Sequence, residues 1–252
     1  MIKRAIVITA WLVVGHAILG GLYWGLLQIP ESNVFMLTLS AVTALAMLVW
    51  AGTVEAVGVL GWTHGGSAMS AVAAGARRAA WIVPALVVFG LLWLLTGFCG
   101  NWLGAHGTEI EAWLMAKFGW ADVSWLHTTL AWILWFVRYV FGVSLGAALL
   151  AAGVVEGAAA AVRFAWVKRA FDWRTFLLVT FALLVGFYLP WRYVVYWRSE
   201  SLPSTWVEPT FATVKLLAVF VVMNTAWAIV LGRAAKQAGP AAGPETAAPA
   251  TS

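Results

Sequence analysis

The sequence predicts an all-α polytopic membrane protein, a six-transmembrane-helix bundle with both termini cytoplasmic. Three observations carry this expectation. Only 10% of the 252 residues are charged and 63% are hydrophobic, whereas a soluble domain carries about 25% charged residues. A chain this poor in charge needs lipid as its solvent. The apolar residues gather in six stretches, 5–27, 34–59, 81–99, 126–155, 176–197 and 210–231, each near or above the ~20 residues that carry a helix across the hydrocarbon core. Finally, with the N-terminus inside, Lys3, Arg4, Arg77, Arg78, Arg163, Lys168, Arg169, Arg174, Arg233 and Lys236 fall on the inner side, against Lys117, Arg192, Arg198 and Lys215 outside. That imbalance is the positive-inside pattern of a multi-pass inner-membrane protein. The pI of about 9.7 therefore reports orientation, and no nucleic acid is expected as a partner.

Each stretch is read as a helix, because an open strand would leave its backbone groups unpaired in hydrocarbon. The first follows Met1-Ile2-Lys3-Arg4 and reads as an uncleaved signal anchor, being too long for a signal-peptide core and lacking a small-x-small cleavage site. His16 lies at its middle, and Gly21 and Gly25 form a G-x-x-x-G suited to close helix contact. The second ends near Glu55, which shares a face with Ala41, Ala44, Leu48, Ala51 and Gly52. After the third comes the longest outer loop, 100–124. Its Thr108 and Glu111 match a capping box, and residues 110, 113, 114 and 118 repeat at helical spacing, which predicts a short helix lying on the outer leaflet.

The fourth stretch holds Arg138 about twelve residues, or ~18 Å, inside its outer end. Glu156 follows five turns later on the same face, His127 precedes it within about 20° of that direction, and Gly142, Gly146 and Gly153 lie between. Inner segment 158–171 mixes Arg163, Lys168 and Arg169 with Phe164, Trp166 and Val167, a pattern that rests on anionic lipid headgroups. Pro190 and Arg192 mark the outer part of the fifth stretch. Lys215 and Asn224 lie in the sixth. The tail, 238–252, is Ala/Pro-rich and is expected to be disordered. Most of the 18 tryptophans fall near span ends, where an interfacial belt is expected, among them Trp62, Trp81, Trp197 and Trp206. A five-residue match, Ala51-Gly52-Thr53-Val54-Glu55 against Ala152-Gly153-Val154-Val155-Glu156, hints at repeated hairpins.

No P-loop, H-E-x-x-H, G-x-S-x-G or metal-ligand cluster is present, and Cys99 is the only cysteine. No enzyme activity, cofactor or metal is expected. Function is sought at ionisable residues within spans, which are costly there. Arg138, Arg192 and Lys215 are candidate ligands for an anion or a lipid phosphate. His16, Glu55, His127, Glu156 and Asn224 are candidates for a polar path. Bland alternatives stand beside each one: Arg138 capping carbonyls, Arg192 and Lys215 snorkelling, Glu55 and Glu156 pairing with Arg77, Arg78 or Arg163, and His16 and Asn224 hydrogen-bonding between helices. The leading expectation is a bacterial-type inner-membrane protein that transports or handles a small anionic or lipid ligand. The alternative is a non-catalytic module that supports a membrane-protein partner or a second copy. A haem protein using His16 is a third reading, but His64 and His106 read as loop residues and His127 lies near an outer end, so no axial partner stands at matching depth.

Overall fold

The computed structural model describes residues 2–30, 32–63, 68–120, 123–195 and 206–239. His64, Trp197, Arg198 and tail residues 240–252 lie outside the described residues. Every element among the described residues is helical. Six stretches are long and apolar enough to cross a membrane: Ile2–Leu27, Val34–Thr63, Ala79–Phe118, Trp125–Glu156, Trp173–Val195 and Val207–Ala238.

The first two are α1 (Ile2–Leu27) and α2 (Val34–Thr63). A short helix, α3 (Ala68–Arg77), and a 3-10 turn, Ala79–Trp81, lead into α4 (Ile82–Phe118). The fourth span is α5 (Ser124–Phe136), a π-helical turn (Val137–Phe141) and α6 (Gly142–Glu156). Two connecting helices follow, α7 (Ala158–Val162) and α8 (Ala165–Ala170). The fifth span is α9 (Trp173–Leu183) continued through π-helical turns at Leu184–Tyr188 and Pro190–Val195. The sixth is α10 (Val207–Ala238). Pro190 has no N–H to give its helix, which accounts for altered backbone pairing there. The π turns of the fourth and fifth spans face one another, with the rings of Tyr139 and Phe187 6.3 Å apart.

The six spans are built as three antiparallel hairpins whose second arms, α2, α6 and α10, contact one another. Pairings along the helices show the directions: Ile8 sits against Gly61 and Val54 against Gly15, while Phe89 meets Gly142 and Trp81 meets Gly153. Burial is concentrated at the end of the bundle where α1 begins and α10 ends. Residues 52–60 of α2 are buried throughout, as are most of 147–155 of α6 and much of 228–235 of α10. Ala41, Ala44 and Leu48 of α2 are exposed, so the small-residue face expected to pack does so only around Gly52. The turn Ala79–Trp81 explains the matched glycines. A side chain at Gly52 would lie 2.2 Å from the Ala79 carbonyl oxygen, and one at Gly153 would lie 2.7 Å from the Trp81 ring. The two glycines therefore admit one connecting turn between α2 and α6.

Several expectations are corrected. No separate surface helix follows the third span, because α4 runs unbroken to Phe118 and ends at Gly119 with φ 66°. The glycines read as loop residues are a packing face: Gly97 meets Arg138, Gly100 meets Leu134 and Gly107 meets His127. His106 is accordingly helical, with Nδ1 3.0 Å from the Trp102 carbonyl. Trp62 and Trp81, half-buried, also pack into slots left by Gly232 and Gly153, helix contacts that their places near span ends do not reveal. The glycines at 20, 21 and 25 have nothing within 4 Å of a modest side chain, so that G-x-x-x-G makes no helix contact within the chain. In segment 158–171, Trp166 is buried against α6 together with Ala170.

Asp172, just before the fifth span, was not singled out by the sequence pattern. Its side chain caps α9, accepting from the Thr175 amide, and also accepts from Arg233 (2.8 Å) and Gln237 (3.2 Å) of α10. Arg233 holds its carboxyl below the ordinary carboxylate range. This contact latches the last hairpin.

Candidate functional site

His16 and Glu55 meet because α1 and α2 approach closely one residue away from each. Val54 lies so near Gly15 that a side chain there would sit 2.6 Å from it. Two indoles brace the crossing: Trp11 Nε1 donates to the Val54 carbonyl at 3.1 Å and Trp50 Nε1 to the Gly15 carbonyl at 2.9 Å. In this frame His16 Nε2 is 3.0 Å from Glu55 Oε1, and His16 Nδ1 is 2.6 Å from Asn224 Oδ1 on α10. Glu55 Oε2 accepts from Trp227 Nε1 at 2.7 Å. The Glu55 side chain is 11% exposed. Three helices thus converge on one carboxylate about halfway along α1.

The hydrogen-bond directions fix what the pair contains. Asn224 Nδ2 donates to the Phe220 carbonyl at 2.9 Å, so its Oδ1 faces His16 and accepts a proton from Nδ1. A ring that already donates through Nδ1 has at Nε2 either a lone pair or, if cationic, a second N–H. The 3.0 Å contact to Oε1 then requires one proton between the partners, held as imidazolium–carboxylate or as imidazole–carboxylic acid. Oε2 only accepts, from Trp227. The cluster is fully hydrogen-bonded, with one proton shared between His16 and Glu55. Both ring nitrogens of His16 are occupied by these contacts, which leaves neither directed at an axial haem position.

On its other side Glu55 forms part of the wall of a cavity of about 210 Å³. The remaining lining comes from α4 (Ile82, Ala85, Leu86, Phe89), α6 (Gly142, Val143, Gly146, Ala147, Leu150) and Trp227 of α10. Glu55 is the one ionisable residue among those. His16 is not part of the lining. Leu86 is 46% exposed, which places one side of the cavity at the lipid-facing surface. A second recess, of about 490 Å³ and lined by Phe187, Trp191, Val195 and residues of α10 from Thr213 to Met223, has no ionisable lining and offers only apolar contact.

The other expected site residues are dispersed. Arg138 Nε donates to Thr96 Oγ1 at 2.8 Å, its Nη2 lies 3.4 Å from the Trp93 carbonyl, and its guanidinium stacks 4.2 Å from the Trp93 ring centre. No carboxylate is within ion-pair distance of it among the described residues. Arg192 is exposed beside the Tyr193 ring, 5.9 Å away. Lys215 Nζ is 3.3 Å from the Val195 carbonyl. The three cations are held by different groups. Glu156 pairs with Arg169 of α8, not with Arg77, Arg78 or Arg163, because the chain turns back at Gly157 (φ 89°) and brings α8 against the end of α6. Arg78 instead donates to the Val154 carbonyl. Between Arg138 and Glu156, Gly142 is packed by Phe89 and Gly153 by Trp81, so apolar contacts separate the two. Exposed His127 lies beside Gly107, away from the pair.

No protein family, no curated protein and no solved structure matches the chain. Among the described residues no group of three or more His, Cys, Asp and Glu side chains is arranged to hold a metal ion. Trp227, Phe89 and Gly146 are the site residues that sequence reasoning missed. Trp227 lies three residues after Asn224, on the same helix face, which is the signal that was available.

Proposed function

We propose that the protein is a carrier-type membrane protein, in a bacterial inner membrane, that takes a small ligand into the cavity beside Glu55 and couples its presence to the proton held between Glu55 and His16. One observation carries this reading: a carboxylate with a proton-sharing partner forms the polar part of an otherwise apolar cavity within the membrane-spanning bundle. A buried pair that served packing alone would be enclosed by side chains on every side. Ionisable groups inside a membrane are costly enough that a cavity beside one points to use. The expected experiment is infrared titration of reconstituted protein. The carboxyl bands that disappear in Glu55→Gln should respond to a step in pH. Bands that stay fixed would make the pair a sealed structural contact.

A second reading concerns Arg138, whose guanidinium has hydrogen-bond donors and a Trp93 face around it but no acidic partner among the described residues. An anion, such as a lipid phosphate, would complete it. Wild-type protein should then be more thermally stable in bilayers containing phosphatidylglycerol than in phosphatidylcholine alone, and Arg138→Gln should stay folded and lose that difference. An unchanged difference in the variant assigns Arg138 to packing. For orientation, the excess of basic residues at the end of the bundle where α1 begins supports cytoplasmic termini. Single cysteines at Glu109 and Arg169, in a Cys99→Ala background, should label from opposite sides of the membrane; same-side labelling would overturn the arrangement.

A further inference from the structure

We infer that the ligand of the Glu55 cavity is an organic cation with an apolar body, an amine or quaternary ammonium, which exchanges for the proton of the Glu55–His16 pair. This rests on the carrier reading above and names its substrate class. The argument begins with charge. In a low-dielectric setting an uncompensated carboxylate is expensive, so the site stays near neutrality. With the cavity empty, the single proton between His16 Nε2 and Glu55 Oε1 supplies that neutrality. The side chains that meet the pair are Asn224 and Trp227 from α10, with apolar residues from α4 and α6 beyond them. Arg78 and Arg138 are engaged elsewhere, with Val154 and with Thr96 and Trp93. An anion entering the cavity would face Glu55 with no cationic side chain in the lining. A neutral molecule would leave the proton in place. A cation brings its own positive charge, after which the proton is redundant and departs to water, and the charge of the site is unchanged.

The walls fit the rest of such a molecule. Phe89 and Trp227 provide aromatic surface of the kind that attracts a cation, and Ile82, Leu86, Val143 and Leu150 receive its apolar part. About 210 Å³ corresponds to about seven waters of liquid volume, enough for one aromatic ring carrying a small ammonium head. Exposed Leu86 at the rim admits an amphiphile that has already partitioned into the bilayer.

The test uses two molecules of the same shape, benzyltrimethylammonium and its uncharged carbon analogue neopentylbenzene, with phenylacetate as the anionic comparison. Binding is read as thermal stabilisation of full-length protein in detergent. Gly146→Leu serves as the filled-cavity control, because Gly146 lines the cavity and a Cβ added there meets only the Ala85 carbonyl, at 3.9 Å. Benzyltrimethylammonium should bind wild type at least about tenfold more tightly than neopentylbenzene, a modest preference for a cation that meets a carboxylate in a protein-like dielectric. It should lose that advantage in Glu55→Gln and all stabilisation in Gly146→Leu. Equal binding of the charged and neutral molecules, abolished by Gly146→Leu, would keep the cavity as a ligand site and overturn the cation. Stronger binding of phenylacetate would also overturn it. If none of the three distinguishes wild type from Gly146→Leu, the carrier reading fails and this inference with it.

Discussion

Glu55→Ala is expected to destabilise the folded bundle by about 3 kcal/mol, whereas Glu55→Gln is expected to cost about 1 kcal/mol or less. The alanine variant strands two hydrogen-bonding nitrogens. His16 loses the partner 3.0 Å from Nε2, and Trp227 Nε1 loses its acceptor at 2.7 Å. Hydrogen bonds between membrane helices are worth about 0.6 kcal/mol on average and up to about 1.7, so two of them supply roughly 1–3 kcal/mol. Because the His16 contact shares a proton, the loss belongs at the upper end of that range, near the cost of about 3–5 kcal/mol for removing one member of a buried ion pair. Glutamine keeps an acceptor for Trp227 and can meet Nε2 with its amide N–H while His16 is neutral, so most of the contact survives. Reversible unfolding in mixed micelles, comparing the two variants with wild type, measures the difference. Equal losses in both would mean that shape alone, and not the proton-sharing contact, matters at this position.

Gly52→Ala should be as damaging, for a steric reason. An added methyl group would lie 2.2 Å from the carbonyl oxygen of Ala79 and 2.8 Å from its carbon. These are backbone atoms, so no rotamer change relieves the contact, and α2 must move away from the turn that leads into α4. Overpacking costs typically about 1–3 kcal/mol and sometimes more; a backbone clash this short belongs at the upper end. Glu55 lies one turn along the same helix, so the displacement also moves the carboxylate relative to the cavity. Gly104→Ala is the matched control. It sits in α4 with nothing within 4 Å of an added methyl, where Gly→Ala in a helix is worth about 0.5–1 kcal/mol of stabilisation. The same sign for both substitutions would contradict the close approach at Gly52.

How much of this was legible in the sequence depends on what each feature rests on. The six apolar helices follow from length and hydropathy, properties of a single segment, and their positions in the structure differ from the predicted spans mainly at the ends. The unbroken α4 was missed because Gly100, Gly104 and Gly107 look like loop residues in composition; the role of Gly100 and Gly107 as a face for α5 appears only when a partner helix is placed against them. His16, Glu55 and Asn224 each stood out as polar residues in apolar stretches. That they form one cluster could not be read, since it requires α1, α2 and α10 to be neighbours and their depths to agree. Regular helix spacing gives Arg138 and Glu156 one direction, a count that the π-helical turn Val137–Phe141 interrupts, and nothing in the pattern showed that α8 would fold back to supply Arg169 or that Thr96 and Trp93 would hold the arginine. The glycine contacts of Trp62 and Trp81 were hidden for a related reason. An indole that suits the headgroup zone suits a glycine-lined slot equally well, and composition does not distinguish the two.

The central claim is that Glu55 carries an exchangeable proton at a cavity reachable from the bilayer. Dicyclohexylcarbodiimide tests it directly, because this apolar reagent dissolves in the membrane and reacts with protonated carboxyl groups. Mass spectrometry of the reconstituted protein should find the adduct on Glu55, forming faster at lower pH, where more of the carboxyl is protonated, and suppressed in Gly146→Leu. Glu156, which pairs with Arg169 at the end of α6, should be modified far less. An unmodified Glu55, or modification at a rate indifferent to both pH and Gly146→Leu, would contradict the account.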